Sequence, residues 1–137
     1  MTLFVDTSVF YAGVDRADVG HARARAVLGT NETLVTSDHV LVEAWLLMQR
    51  RVGQTTADAF WAAISAGSLE LEIVGRADLE AASAIGTAFP DQAFSIVDRT
   101  SFAVMLRLGV HRAASFDKDF AVFRFGARRE RAFEIVR

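Results

Sequence analysis

Four carboxylates in this chain are set in or against apolar runs. Asp6 closes Leu3-Phe4-Val5, and Glu43 is the only polar residue from Val40 to Met48. Asp98 follows Phe94-Ser95-Ile96-Val97, and Asp117 follows Ala113-Ala114-Ser115-Phe116. Stripping water from an ionised carboxylate costs several kcal/mol unless a cation or a metal meets it. Few cations are placed to pair with them, and Lys118 is the only lysine. A fold that gathers the four around a divalent ion is the simplest solution.

Composition sets the remaining bounds. At 137 residues, 52% hydrophobic and 23% charged, the sequence reads as one well-cored domain over residues 1–137. The start, Met-Thr-Leu-Phe-Val-Asp, has no basic region or cleavage motif of a signal peptide, and no apolar stretch reaches the length of a membrane span. The absence of cysteine excludes disulfides, thiolate zinc sites and cysteine nucleophiles. The expectation is a soluble cytoplasmic domain. The net charge of −2, taken alone, disfavours nucleic acid. Without the four carboxylates, however, the balance turns positive. Arg124, Arg128, Arg129 and Arg131 crowd one segment, and Arg50-Arg51 ends a helix. Such clusters can meet phosphates, although a solvated face is their commoner role.

The pattern alternates strands and helices. Strands are expected near Thr2–Val5, Thr33–Thr36, Leu69–Val74, Arg112–Ser115 and Ala132–Val136, the last at an edge. Helices are expected after Thr7, near Val19–Leu28, from Ser37 or Asp38 to Arg51, from Thr55 or Thr56 to Gly67, over Arg76–Ala88, from Ser95 to Leu108, and briefly after Asp117. Right-handed crossovers then give an α/β fold, a three-layer α/β/α sandwich with a mainly parallel central sheet.

In such a sheet ligands bind beyond the carboxyl ends of the strands. Asp6 and Asp117 directly follow strands, Asp98 falls in the first turn of its helix, and Glu43 about one and a half turns into another. All four are expected at one sheet edge. Each also has a plainer role open to it. Asp6 and Asp117 fit N-caps, and Asp98, three residues after Ser95, fits a capping box. Glu43 resists that account, because its helix is apolar on every side in sequence.

Oxygen-only ligands favour Mg²⁺ or Mn²⁺ over zinc. Such ions can activate water and stabilise the leaving oxygen of a phosphodiester. Thr7, Ser8 and Ser101 are candidate partners of the carboxylates, and Asp119 either joins the cluster or faces solvent. His39 and Glu43 have metal-ligand spacing but no second histidine. Neither a phosphate-cradling Gly-Lys-Ser/Thr nor a Gly-x-Ser-x-Gly elbow occurs.

Four blocks in register resemble a PIN domain, specifically a VapC-type toxin ribonuclease. They are Phe4-Val5-Asp6-Thr7-Ser8, Val42-Glu43-Ala44, the segment from Phe94 through Asp98 to Met105, and Ser115-Phe116-Asp117-Lys118-Asp119-Phe120. The resemblance maps the family's acidic quartet onto Asp6, Glu43, Asp98 and Asp117, as metal ligands and catalytic residues. Arg99 stands where a small residue is more usual. The resemblance implies a Mg²⁺- or Mn²⁺-dependent endoribonuclease acting on transfer or ribosomal RNA. It also implies a homodimer neutralised by a VapB-type antitoxin, with Val40–Met48 and Phe60–Ile64 offering packing surfaces.

Two rivals fit less well. A haloacid-dehalogenase-type phosphohydrolase needs a second aspartate where Ser8 stands and a distant lysine. A receiver-like module lacks its lysine here, and an inactive RNA-binding module would be expected to have lost a carboxylate.

Overall fold

Short apolar segments become strands and the longer segments between them become helices in the computed structural model, which describes residues 1–137. In chain order these are β1 (Thr2–Val5), α1 (Thr7–Val14), α2 (His21–Leu28), β2 (Thr33–Ser37), α3 (Asp38–Arg51) and α4 (Gln54–Ala66). There follow β3 (Glu70–Glu72), α5 (Arg76–Ala88), α6 (Ile96–Leu108), β4 (Arg112–Ala114), α7 (Lys118–Val122) and β5 (Glu134–Val136). The strands form a single sheet in the order β3-β2-β1-β4-β5, with every neighbouring pair parallel. Helices flank it, as expected of an α/β/α sandwich.

The centre of the sheet explains the site. Leu3, Phe4 and Val5 are fully buried, as expected of a middle strand covered on both faces. Asp6 therefore leaves the sheet where β1 sits between β2 and β4, the point at which the strand order reverses.

Phenylalanines lock the neighbouring elements. The Phe120 ring on α7 lies 5.0 Å, edge-on, from Phe102 of α6 and 6.5 Å from Phe4 of β1. Phe102 also stacks on Phe123 at 4.4 Å. Burying each ring contributes roughly 2–3 kcal/mol, and together they tie α7 to β1 and α6.

Three local expectations are corrected. Helix α2 starts at His21, not Val19, because Asp18 Oδ1 accepts the Gly20 amide at 2.8 Å and holds a turn there, leaving Val19 fully exposed. Strand β3 is shorter than the expected Leu69–Val74, covering only Glu70–Glu72 at a sheet edge, where Leu71 is exposed and Glu72 meets Arg107. Helix α3 is not enclosed: Val40, Leu41, Ala44 and Met48 are buried, but Val42 and Leu46 are exposed. No helix is long and apolar enough to cross a membrane.

Candidate metal centre

Asp6, Asp98 and Asp117 each serve as local backbone caps, and each does so through one carboxylate oxygen. Asp6 Oδ2 takes the Ser8 amide at 3.4 Å, Asp98 Oδ2 the Ser95 amide at 3.4 Å, and Asp117 Oδ1 the Asp119 amide at 2.9 Å. The other Asp117 oxygen makes no hydrogen bond to the protein, and Asp98 besides meets only the carboxyl of Asp119. Capping and metal binding therefore do not compete.

The carboxylates converge from distant parts of the chain. One oxygen each from Asp98, Asp117 and Asp119 lies within 4.8 Å of the other two. Asp6 adds its charge to Asp98, as does Asp117. Asp119, whose role the sequence leaves open, thus joins the cluster. Glu43 is not among these close oxygens. It is half-buried on α3 and makes neither a hydrogen bond nor an ion pair with the protein.

Burial and mutual repulsion set the protonation of the centre. Burial holds the Asp98 carboxyl at about 8, helped by the charges of Asp117 and Asp6. Burial likewise raises Asp6 to about 6, although hydrogen bonds from Ser8 and Ser115 pull the other way. No lysine, arginine or histidine lies within 4.0 Å of these carboxylates.

Two hydroxyls fix Asp6. Ser8 Oγ donates to Asp6 Oδ2 at 2.8 Å, and Ser115 Oγ donates to the same oxygen at 2.9 Å. Each hydroxyl also accepts a backbone amide of the β4–α7 loop, Phe116 at Ser8 and Asp117 at Ser115. Asp6 is thereby tied to the loop that carries Asp117. Ser115 went unremarked in the sequence, where it reads as the polar end of an apolar strand. Its only signal is its position two residues before Asp117.

The donor set fits a hard divalent cation. It is all oxygen, electrostatically strained when empty of charge compensation, and accompanied by buried hydroxyls without partners. Ser101 Oγ, one turn beyond Asp98, and Thr7 Oγ1, next to Asp6, are buried and make no hydrogen bond. Unsatisfied buried hydroxyls cost free energy that a coordinated ion and its waters can recover.

Other candidates are tied up structurally. Arg99 turns away to donate to the Phe94 carbonyl at 3.0 Å, and it fits because Gly86 has no Cβ to collide with its guanidinium. Arg124 donates to the carbonyls of Ala121, Val122 and Phe123 at the end of α7. Arg129 lies over Phe89, and Arg131 over Phe125. His21 bonds the Ala12 carbonyl at 2.7 Å. Asp78, also missed in the sequence, is a buried carboxylate of another kind, gripped by Arg107.

Comparison with known proteins places this geometry. The family model described as "PIN domain" matches residues 3–126. The 23S rRNA-specific endonuclease VapC20 of Mycobacterium tuberculosis is 37% identical over 130 residues, covering 90% of this chain and 95% of the relative. Ribonuclease VapC26 of the same organism is 28% identical over 117 residues, covering 85% and 87%. The crystal structure of VapC20, described as a sarcin-ricin loop cleaving toxin, superposes with a TM-score of 0.82 at 35% identity, covering 88% of this chain and 93% of that one. VapBC2 of Rickettsia felis shares the fold alone, with a TM-score of 0.65 at 12% identity over 86% and 89% of the chains.

Proposed function

Because the chain belongs to the PIN-domain family, we propose that it is a VapC-type endoribonuclease toxin that hydrolyses phosphodiester bonds of cellular RNA. The observation that carries this reading is the convergence of Asp98, Asp117 and Asp119 with Asp6 beside them, and no cation to pair with them. A relative 37% identical is named a 23S rRNA-specific endonuclease, so ribosomal RNA is the first substrate to test.

Asp6, Asp98 and Asp117 would hold Mg²⁺, with Mn²⁺ as a substitute, and Asp119 completes the acidic wall. A cation bound there supplies Lewis-acid activation of water and stabilisation of the departing oxygen. The chain's part is positioning. Ser8 and Ser115 hold Asp6 at a fixed angle, leaving Oδ1 for the ion. The capping bonds do the same for Asp98 and Asp117. Glu43, half-buried on α3 and without a protein partner, stays in the proposed set of metal-binding and catalytic carboxylates. The partner is a VapB-type antitoxin, and the active form a homodimer, for which the exposed Val42, Leu46, Leu71 and Ile73 supply apolar surface.

Incubating purified protein with total cellular RNA, in Mg²⁺ or in chelator, and mapping the new ends tests this reading. Discrete cuts that vanish on chelation are expected. Intact RNA in Mg²⁺, or the same cuts in chelator, would overturn it.

A further inference from the structure

Arg99 follows Asp98 in sequence and carries a charge that no acid meets, for it forms no ion pair within 4.0 Å. Its side chain is half-buried between α6 and α5, where Nε donates to the Phe94 carbonyl at 3.0 Å. A notch in α5 receives the guanidinium. Gly86 lies in the last turn of that helix, and a Cβ there would stand 2.8 Å from Arg99 Cζ and closer still to Nη1. Glycine inside a helix is less stable than alanine. The fold thus gives up helix stability at the one place where a guanidinium fills the space.

The group that Arg99 holds belongs to the site. Successive residues of α6 grip the Phe94–Ser95 peptide at both ends. Arg99 takes its carbonyl, and its amide, the Ser95 N–H, donates to Asp98 Oδ2 at 3.4 Å. Ser95 Oγ accepts the Asp98 amide at 3.0 Å, closing the same turn from the other side. The Phe94 ring is buried against Phe102 at 5.3 Å and Phe89 at 5.8 Å, which anchors the residue but not the plane of the peptide after it. The bond from Arg99 fixes that plane. At 3.4 Å the amide bond to Asp98 is long, so its strength depends on how the peptide is turned. A cationic donor on the carbonyl also polarises the peptide and strengthens its N–H.

We propose that Arg99 is a positioning residue for the metal centre: seated against Gly86, it sets the plane of the Phe94–Ser95 peptide, and that peptide holds the Asp98 carboxylate toward the cation. The inference rests on the metal-dependent reading above and adds to that site a residue that acts through Asp98 rather than on the ion. A purely structural part for Arg99, tying α5 to α6, would cost stability and leave the site intact. The connection to Asp98 through a single peptide favours positioning.

The test is Mn²⁺ titration of the full chain, followed by the electron paramagnetic resonance of the free ion. It compares native protein with Arg99→Ala, Arg99→Lys, Gly86→Ala and the Gly86→Ala/Arg99→Ala double variant. Losing a group that orients a metal ligand weakens binding about 10- to 100-fold, and about tenfold is expected for Arg99→Ala. RNA cleavage at saturating Mn²⁺ should keep KM within about twofold, since no substrate contact is removed. Gly86→Ala should repeat the weakening, because it keeps Arg99 in the chain but fills its seat. The double variant should bind no more weakly than Arg99→Ala alone, since both changes act through one guanidinium. Arg99→Lys, whose ammonium can reach the same carbonyl, should recover most of the affinity. Native Mn²⁺ affinity in Arg99→Ala, while Asp98→Asn has lost the site, overturns the proposal, and so does a Gly86→Ala loss that adds to that of Arg99→Ala. Should Arg99→Ala fail to fold, Gly86→Ala decides, and native affinity there overturns the proposal. A native protein that binds no Mn²⁺ overturns the metal-dependent reading beneath it as well.

Discussion

Arg107 grips Asp78 through two parallel hydrogen bonds, Nε to Oδ1 at 2.9 Å and Nη2 to Oδ2 at 3.1 Å. Arg107 also reaches Glu72 at 3.0 Å, and Asp78 accepts the Gly75 amide, so α5, α6 and the end of β3 are pinned together. The pair holds the Asp78 carboxyl below the usual carboxylate range, chiefly through the Arg107 bonds. Asp98, at 7% exposure about as buried as Asp78 at 4%, moves the other way: burial raises it, the charges of Asp117 and Asp6 add to that, and no guanidinium offsets them. One fold thus contains a buried acid paired with a guanidinium and a group of acids, two of them buried, that meets no cation. The unpaired group is the one with a use.

Replacing Asp98 by Asn removes one charge from that group without changing its shape. RNA cutting should fall by roughly 10²-fold or more, since a metal ligand is lost. Metal-free Asp98→Asn should melt higher than metal-free native protein at pH 8, because the repulsion with Asp6 and Asp117 is relieved. A lower melting temperature would mean that Asp98 is a structural acid.

Stability of the metal-free protein should depend on pH with an unusual sign. Asp6 and Asp98 rise from 3.8 to about 6 and about 8 on folding, so the folded state binds more protons than the unfolded chain across that window. Stability is therefore fully present at acid pH and lost as pH climbs from about 4 towards 8. The rise at Asp6 alone corresponds to about 3 kcal/mol. Denaturation in chelator across this range should show the decline, and Mg²⁺ should flatten it. A stability that increases with pH over the same range would contradict the cluster's electrostatics.

Ser115→Ala should damage the site more than the fold. It removes one of two hydroxyl donors to Asp6 and leaves the Asp117 amide without its acceptor. The cost to stability is about 1–3 kcal/mol. Mg²⁺ affinity should drop with it, and Ser115→Thr should restore both. Equal Mg²⁺ affinity in Ser115→Ala and native protein would show that the hydroxyl does not position Asp6.

Phe120→Ala should open the wedge between β1 and α6. The ring is fully buried, so about 3–5 kcal/mol of stability goes with it. Phe120→Leu, which refills most of the space, is the informative variant. It should remain folded yet bind Mg²⁺ more weakly, because α7 carries Asp119 and is capped by Asp117. Unaltered binding in Phe120→Leu would show that ring packing does not set the cluster's geometry.

The positions of Asp6, Asp98 and Asp117 were legible in sequence because the ends of parallel strands and the first turns of the following helices share one edge of a sheet. Asp119 was undecided for a local reason: on a five-residue helix, periodicity cannot say which way a side chain faces. Ser115 and Asp78 were missed because their partners, Asp6 and Arg107, lie 109 and 29 residues away. The extent of β3 was similarly hidden. Leu69 to Ile73 alternate in sequence, but how much of that run pairs at a sheet edge is a long-range property. For Glu43 the apolar neighbours suggested enclosure, and the exposure of Val42 and Leu46 shows how an apolar helix can instead present a surface.

Anomalous diffraction from crystals soaked in Mn²⁺ tests the central claim most directly. The account predicts a peak coordinated by oxygens of Asp6, Asp98 and Asp117, and its loss in Asp98→Asn. A protein saturated with Mn²⁺ that shows no peak among these carboxylates would contradict it.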